Sequence, residues 1–203
     1  MEIDISDPAF FYQNMAVGFA DQILDVIKSN CKEYFDYSFW EYNHPIDSED
    51  MTVGIKLNVV RSKACTSKYD IWASAGLDES AELCVNITVV MPPKVWQKNV
   101  SIDKAELVGI LSHELHHIAQ SNCLDSYPAN MKKGKMSYFL DPFEVEAFHI
   151  GFRAQSFFSG ESFEDLASRY IELTAPNLDR DKINFVVKTW QQTKFEMFES
   201  CRT

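Results

Sequence analysis

Residues 112–120 read SHELHHIAQ and place histidines at positions 113 and 117 around a glutamate at position 114. On an α-helix, residues four apart lie about 40° from each other on one face, so the imidazoles of His113 and His117 can bind the same cation. Glu114 lies about 100° around the helix from His113, too far for a ligand but close enough to contact a water on the cation. This is the H-E-x-x-H pattern of zinc sites, with Glu114 in the position of a general base.

The helix around this motif is expected to begin near Ser101, which can cap its first turn. Its apolar residues recur at spacings of three and four: Val108, Leu111, Leu115 and Ile118. His113 and His117 fall roughly opposite this apolar stripe. The pattern therefore predicts a helix with one side on the core and the other side open to a site.

The residues before this helix predict a small β-sheet. Apolar and polar residues alternate from Thr52, more weakly over 68–75, and again over 83–91 until Pro92-Pro93. Because the connections are short, we expect an antiparallel meander of three strands. The aromatic-rich segment 34–50 is expected to be an irregular connection.

Helical patterns predict further helices from Asp7-Pro8 to about residue 29 and over 142–158, 163–173 and 180–199. The expected fold is therefore a single α+β domain spanning residues 1–203. It divides into an N-terminal helix and irregular segment (1–50), a core that carries the site (51–158) and C-terminal helices (159–203).

Composition limits the possible partners. The net charge of −11 argues against binding to nucleic acid or to an anionic membrane, and it is compatible with a protein or peptide partner. The five cysteines are scattered and odd in number, which favours reduced thiols in a cytoplasmic protein. The acidic N-terminus does not resemble a signal peptide, and no segment is apolar for long enough to span a bilayer.

A catalytic zinc site needs a third protein ligand, and Glu144 and Glu146 are the candidates. Asp141, Pro142 and Glu144 resemble an acidic capping box, which gives Glu144 a structural role at the start of its helix. Glu146 points about 200° away from Glu144 and precedes the small Ala147, which allows close approach to the helix that carries His113 and His117, the metal helix. We therefore predict that Zn²⁺ is bound by His113, His117 and Glu146.

The H-E-x-x-H motif followed by Glu146 resembles the gluzincin metallopeptidases. The run from Tyr138 through Pro142 and Glu144 to Glu146-Ala147 is similar to a signature of small zincin-like metallopeptidases that phages and mobile elements often encode. The resemblance covers roughly residues 83–153. It implies a minimal zincin-like fold in which residues 51–158 form the catalytic core. It also implies that the strand before the metal helix, 83–91, binds substrate through its backbone. A phage-encoded protein of this kind would act in the host cytoplasm.

The chemistry expected of such a site is hydrolysis of a peptide bond in a specific protein, with Zn²⁺ as cofactor and Glu114 as general base. The developing oxyanion needs a hydrogen-bond donor, for which Tyr138, His149 and Arg153 lie near in sequence. The place of Tyr138 in the signature favours it as a catalytic residue.

A second class of function is also compatible with the sequence. An acidic, non-catalytic protein of phage type can inhibit a partner by covering a basic surface, with a structural metal or none. Metal content and the effect of replacing His113 discriminate between the two classes.

Overall fold

The computed structural model describes residues 8–29, 35–44, 51–63, 65, 68–77, 83–92, 102–121 and 134–193. The elements, in order, are α1 (Pro8–Ser29), β1 (Phe35–His44), β2 (Met51–Arg61), β3 (Asp70–Leu77), β4 (Leu83–Met91), α2 (Lys104–Ser121), α3 (Lys135–Phe139), α4 (Pro142–Ser159), α5 (Phe163–Thr174) and α6 (Arg180–Gln191). The α+β class is confirmed. No helix in these ranges is long and apolar enough to cross a membrane.

The sheet is mixed, and the predicted antiparallel meander is wrong. Its strand order is β1-β2-β4-β3, with β4 antiparallel to β3 and parallel to β2. Strand β4 therefore lies between β2 and β3, two strands that the meander would have paired. Six of the nine side chains of β4 are buried, and these include residues on both faces of the strand, which suits a central strand with a parallel neighbour.

Strand β1 lies in the segment 34–50 that was expected to be irregular, so this expectation is also wrong. It pairs antiparallel with β2, with a register shift between Phe39 and Tyr42. Such an irregularity interrupts the period of two by which a strand is recognised in a sequence.

Helices α1 and α2 pack on the sheet and form the main core. Buried residues of α1 such as Phe19 and Ile23 meet β2 residues such as Leu57, and Leu111 and Leu115 of α2 join them as the sequence predicted. Asp103 caps α2 by accepting a hydrogen bond from Ala105 N at 2.9 Å. The caps predicted at Asp7 and Ser101 lie outside the described residues.

A second apolar cluster joins the C-terminal helices. Phe139 of α3, Phe148 of α4, Ile171 of α5 and Trp190 of α6 are buried in it. The predicted bounds of α4 and α5 are correct to within one residue. Helix α6 begins at Arg180 as predicted but ends at Gln191, earlier than expected.

Helices α2 and α4 cross with their backbones in contact. A Cβ built on Gly151 would lie 2.9 Å from the carbonyl oxygen of Gly109 and 3.1 Å from Cβ of His113. A Cβ on Gly109 would lie 3.0 Å from the carbonyl oxygen of Gly151. The two glycines thus permit a close approach that brings the first turn of α4 over the histidines of α2.

Replacing Gly151 by alanine should therefore separate the two helices. We expect Gly151→Ala to lower the free energy of unfolding by about 1–3 kcal/mol, as overpacking does, and to weaken metal binding. Urea denaturation and metal titration measure the two effects. Gly18→Ala is the matched control, because a Cβ at Gly18 in α1 meets no atom within 4 Å. The control should stabilise the protein by about 0.5–1 kcal/mol. Equal stabilities of the two variants would contradict a tight crossing.

Candidate metal centre

Two histidines of α2 and one glutamate of α4 converge at the helix crossing. The Nε2 atoms of His113 and His117 lie 3.1 Å apart. Oε2 of Glu144 lies 3.5 Å from Nε2 of His113 and 3.6 Å from Nε2 of His117. These three residues form the one group of potential metal ligands found among the described residues.

The spacing of the three atoms fits a tetrahedral metal ion. Zinc with bonds of about 2.0–2.1 Å separates neighbouring tetrahedral ligands by about 3.3 Å. With separations of 3.1, 3.5 and 3.6 Å, the point in the plane of the three atoms that is equidistant from them lies about 2.0 Å from each. An ion slightly outside this plane, as tetrahedral geometry requires, is therefore still at bonding distance. Oε2 of Glu144 is buried and makes no hydrogen bond of normal geometry to a described residue. A bound cation would therefore satisfy a polar atom that is otherwise left without a close partner.

The charges of the donors suit a cation. Burial alone would raise the pKa of Glu144, but the neighbouring imidazoles of His113 and His117 lower it to about 2. Burial alone would lower the pKa of His117, but the carboxylate of Glu144, 3.6 Å away, raises it. The carboxylate is thus ionised at neutral pH, and its negative charge favours a proton or a metal ion on His117.

Glu146, the predicted third ligand, faces away from this group. Its Oε2 lies 3.3 Å from Nε2 of His116 and 3.2 Å from Nε2 of Gln120. The sequence pattern favours Glu144 in a capping box, but Asp141 alone caps α4 through Phe143 N at 3.1 Å. The carboxylate of Glu144 turns towards α2 instead. Since the two glutamates point about 200° apart, only one of them can face His113 and His117. The structure brings Glu144 there, so the group that could hold a metal ion contains Glu144 in place of the predicted Glu146.

The predicted catalytic residues Glu114 and Tyr138 line the same cleft as His113. Burial and the charge of Glu144 raise the pKa of Tyr138, so its hydroxyl remains protonated and able to donate at neutral pH. Tyr170 also lines the cleft and was missed, because nothing local in the sequence marks a tyrosine of α5 as close to α2.

The other two candidates for the oxyanion donor point elsewhere. Nδ1 of His149 lies 2.7 Å from the carbonyl oxygen of Trp190 and donates to it. Arg153 is exposed and, within the described part of the chain, is not among the cleft residues.

The cleft has a volume of about 560 Å³ and lies between β3 and α5, over α2 and α4. The hydroxyl of Tyr69 fixes β3 to the start of α2, because it donates to Oε2 of Glu106 and accepts from Asp103 N, both at 2.8 Å. Trp72 of β3 and Leu173 of α5 line the cleft and are 63% and 78% exposed. The cleft thus presents large apolar side chains from two different elements.

The strand beside the cleft is β3, whereas the resemblance implied that β4 binds substrate. Both edges of β4 are occupied, by β2 and β3. Strand β3 pairs with β4 on one edge, and no described strand pairs with its other edge. Backbone pairing with a peptide is therefore possible at β3 and excluded at β4.

Aromatic residues pack against the imidazole of His113. The ring centroid of Phe148 lies 4.7 Å from that of His113, and Trp190 stacks on Phe148 at 4.2 Å. Trp190 donates from Nε1 to the carbonyl oxygen of Phe139 at 2.7 Å. The C-terminal helices, for which the sequence indicated no role, hold the helix that carries Glu144.

Comparison with known protein families, with curated proteins and with solved structures finds no match to this chain. Its function is therefore inferred from the site itself.

Replacing Glu144 should remove a metal ligand. We expect Glu144→Ala to weaken zinc binding by at least roughly a hundredfold, beyond the roughly tenfold to hundredfold effect of an outer-sphere partner. Competition with a chromogenic chelator measures the affinity. Glu172→Ala is the control, since Glu172 is exposed on α5 and paired with Arg180. Unchanged zinc affinity in Glu144→Ala would exclude this carboxylate as a ligand.

Zinc affinity should also depend on pH through the histidines. Because the pKa of His117 is raised, protons compete with the metal as the pH falls through the histidine range. Glu144, with a pKa of about 2, remains ionised there. We expect affinity to fall about tenfold per pH unit for each histidine protonated, which titrations at several pH values measure. If the zinc affinity stayed constant until the pH fell to the pKa of Glu144, ligation by imidazole would be contradicted.

Proposed function

We propose that this protein is a zinc-dependent metallopeptidase of gluzincin type, with His113, His117 and Glu144 as metal ligands. The observation that carries the proposal is the triangle of two imidazole nitrogens and one carboxylate oxygen at spacings that suit a tetrahedral ion. Three protein ligands leave one position for water or substrate, which is the arrangement of catalytic zinc sites.

The donor set favours zinc over other common ions. Two imidazoles and one carboxylate suit zinc, whereas magnesium and calcium prefer oxygen ligands. Zinc is further supported by the four-residue spacing of the histidines within H-E-x-x-H, with Glu114 beside them.

Zinc bound here would supply a water of lowered pKa and polarise the scissile carbonyl. Glu114, in the same cleft, accepts the proton of the attacking water and delivers it to the leaving amine. Tyr138 keeps its hydroxyl proton and donates a hydrogen bond to the carbonyl oxygen as negative charge develops on it. Tyr170 lines the same cleft and is placed to share this role with Tyr138.

The proposed substrate is an extended segment of a protein or peptide. The edge of β3 that no described strand occupies offers backbone hydrogen bonds along the cleft. Trp72, Phe152 and Leu173 offer apolar contacts to the side chains of the substrate. Backbone pairing gives affinity for any extended chain, so selectivity rests on these side-chain contacts. A net charge of −11 favours neutral or basic substrates over acidic ones.

The cysteines agree with the proposed cytoplasmic location. Cys65 and Cys84, the two that the structure describes, are buried thiols. Cys65 donates to the carbonyl oxygen of Val90 at a sulfur–oxygen distance of 3.6 Å.

Replacing Glu114 tests the reaction separately from the metal. The zinc-loaded protein is incubated with a peptide library, and new termini are identified by mass spectrometry. Glu114→Gln should retain zinc and lose about 10²–10⁴-fold in cleavage rate, because general base catalysis contributes that much.

Glu172→Gln, the same substitution on the surface of α5, is the control and should cleave at the parent rate. Parent-like cleavage by Glu114→Gln would exclude Glu114 as the base. A zinc-loaded parent that cleaves no peptide of the library would instead favour the non-catalytic acidic binding protein.

A further inference from the structure

Glu146 is buried beside the metal centre without facing it. The residue is 4% exposed, and its Oε2 receives two hydrogen bonds. One comes from Nε2 of His116 at 3.3 Å and the other from Nε2 of Gln120 at 3.2 Å. A buried carboxylate is costly unless it is satisfied in this way, so both donors hold it in place.

Gln120 is oriented by the groups of α4 around it. Its amide nitrogen lies 3.1 Å from the carbonyl oxygen of Phe143 and 3.2 Å from Oε2 of Glu146. A carbonyl and a carboxylate can only accept hydrogen bonds, so the NH₂ group of Gln120 must face them. The amide oxygen is then forced to the opposite side, where it lies 2.8 Å from Nδ1 of His117.

The orientation of Gln120 determines which nitrogen of His117 carries the proton. An amide oxygen only accepts, so Nδ1 of His117 must be the protonated nitrogen. Nε2 then keeps its lone pair, and Nε2 is the atom that faces His113 and Glu144. In the opposite tautomer Nε2 would carry a proton, which a metal ion would have to displace.

We propose that Glu146 is a positioning residue that acts through Gln120 to hold His117 in the tautomer able to bind a metal. The inference rests on the metal centre of the proposed function, but not on peptide hydrolysis. It gives a role to the residue that sequence analysis had placed among the ligands. It also explains why a helix that supplies one ligand carries a second, buried carboxylate on a different face.

The tautomer of His117 is measured directly by ¹⁵N NMR of the metal-free protein at alkaline pH, where the imidazoles are neutral. We expect Nδ1 of His117 to be protonated and Nε2 to be unprotonated. In Gln120→Leu and in Glu146→Leu, both tautomers should be populated. Glu146→Gln retains an acceptor oxygen for Gln120 and should largely restore the parent spectrum.

Zinc affinity provides the second readout. Gln120→Leu and Glu146→Leu should each weaken zinc binding by about tenfold to a hundredfold, as loss of an outer-sphere partner does. Both substitutions interrupt the same chain of hydrogen bonds. The double variant should therefore have about the same zinc affinity as whichever single variant binds zinc less tightly. Ser112→Ala is the control, since Ser112 is buried in the same helix and its Oγ has no hydrogen-bond partner among the described residues. It should change neither the tautomer nor the affinity.

Several outcomes would overturn the inference. One is a parent protein in which Nε2 of His117 carries the proton, and another is additive loss of affinity in the double variant. A parent protein with the expected tautomer but no zinc binding would refute the metal-binding role. A parent that binds zinc with that tautomer yet cleaves no peptide would leave the inference standing while the proposed hydrolysis fails. If Glu146→Leu does not fold, the parent spectrum and Gln120→Leu still decide.

Discussion

The backbone contact between Gly109 and Gly151 is the constraint on which the site depends. Packed helices ordinarily lie about 8–10 Å apart, a separation set by the side chains between them. Here each helix has a glycine at the crossing, and a Cβ added to either glycine would lie 2.9–3.1 Å from atoms of the partner helix. The carboxylate of Glu144 in the first turn of α4 can therefore reach two imidazoles of α2. The spacing of the donor atoms is thus a property of the helix pair as much as of the ligands themselves.

The other side of α4 is held by the C-terminal helices. Trp190 stacks on Phe148, donates a hydrogen bond to the carbonyl oxygen of Phe139 and accepts one from His149. These contacts limit rotation of α4 about its own axis, which would move Glu144 away from the histidines. Neither α5 nor α6 contributes to the group of His113, His117 and Glu144, yet both help to determine the position of Glu144.

Local patterns predicted the helices better than the sheet. Asp141-Pro142 at the start of α4 and the apolar spacing along α2 depend on residues close in sequence, and both predictions hold. Which strands pair is a non-local property, and the alternation in β2 and β4 carries no information on it. The register shift between Phe39 and Tyr42 also interrupts the alternation in β1, so the sequence did not indicate this strand.

For the site, too, the sequence predicted correctly only what lies within one helix. The spacing of His113 and His117 lies within one helix and is sufficient to place them together. The choice between Glu144 and Glu146 depends on how α4 is rotated against α2, which no local pattern specifies. The structure brings Glu144 rather than Glu146 to the two histidines, and Asp141 caps α4 without help from Glu144. The role of Gln120 also depends on hydrogen-bond acceptors from α4, so the sequence could not predict it.

The edge of β3 that has no partner among the described strands bears on the behaviour of the protein at high concentration. An edge that can accept a peptide can also accept a strand from a second copy of the chain, which is the usual first step of β-sheet aggregation. The net charge of −11 opposes that step, because copies repel each other before their edges meet. This repulsion acts over about 10 Å at 0.1 M salt and over less at higher ionic strength. Colloidal stability at this edge is thus provided by the charge of the whole molecule, and concentrated salt weakens it.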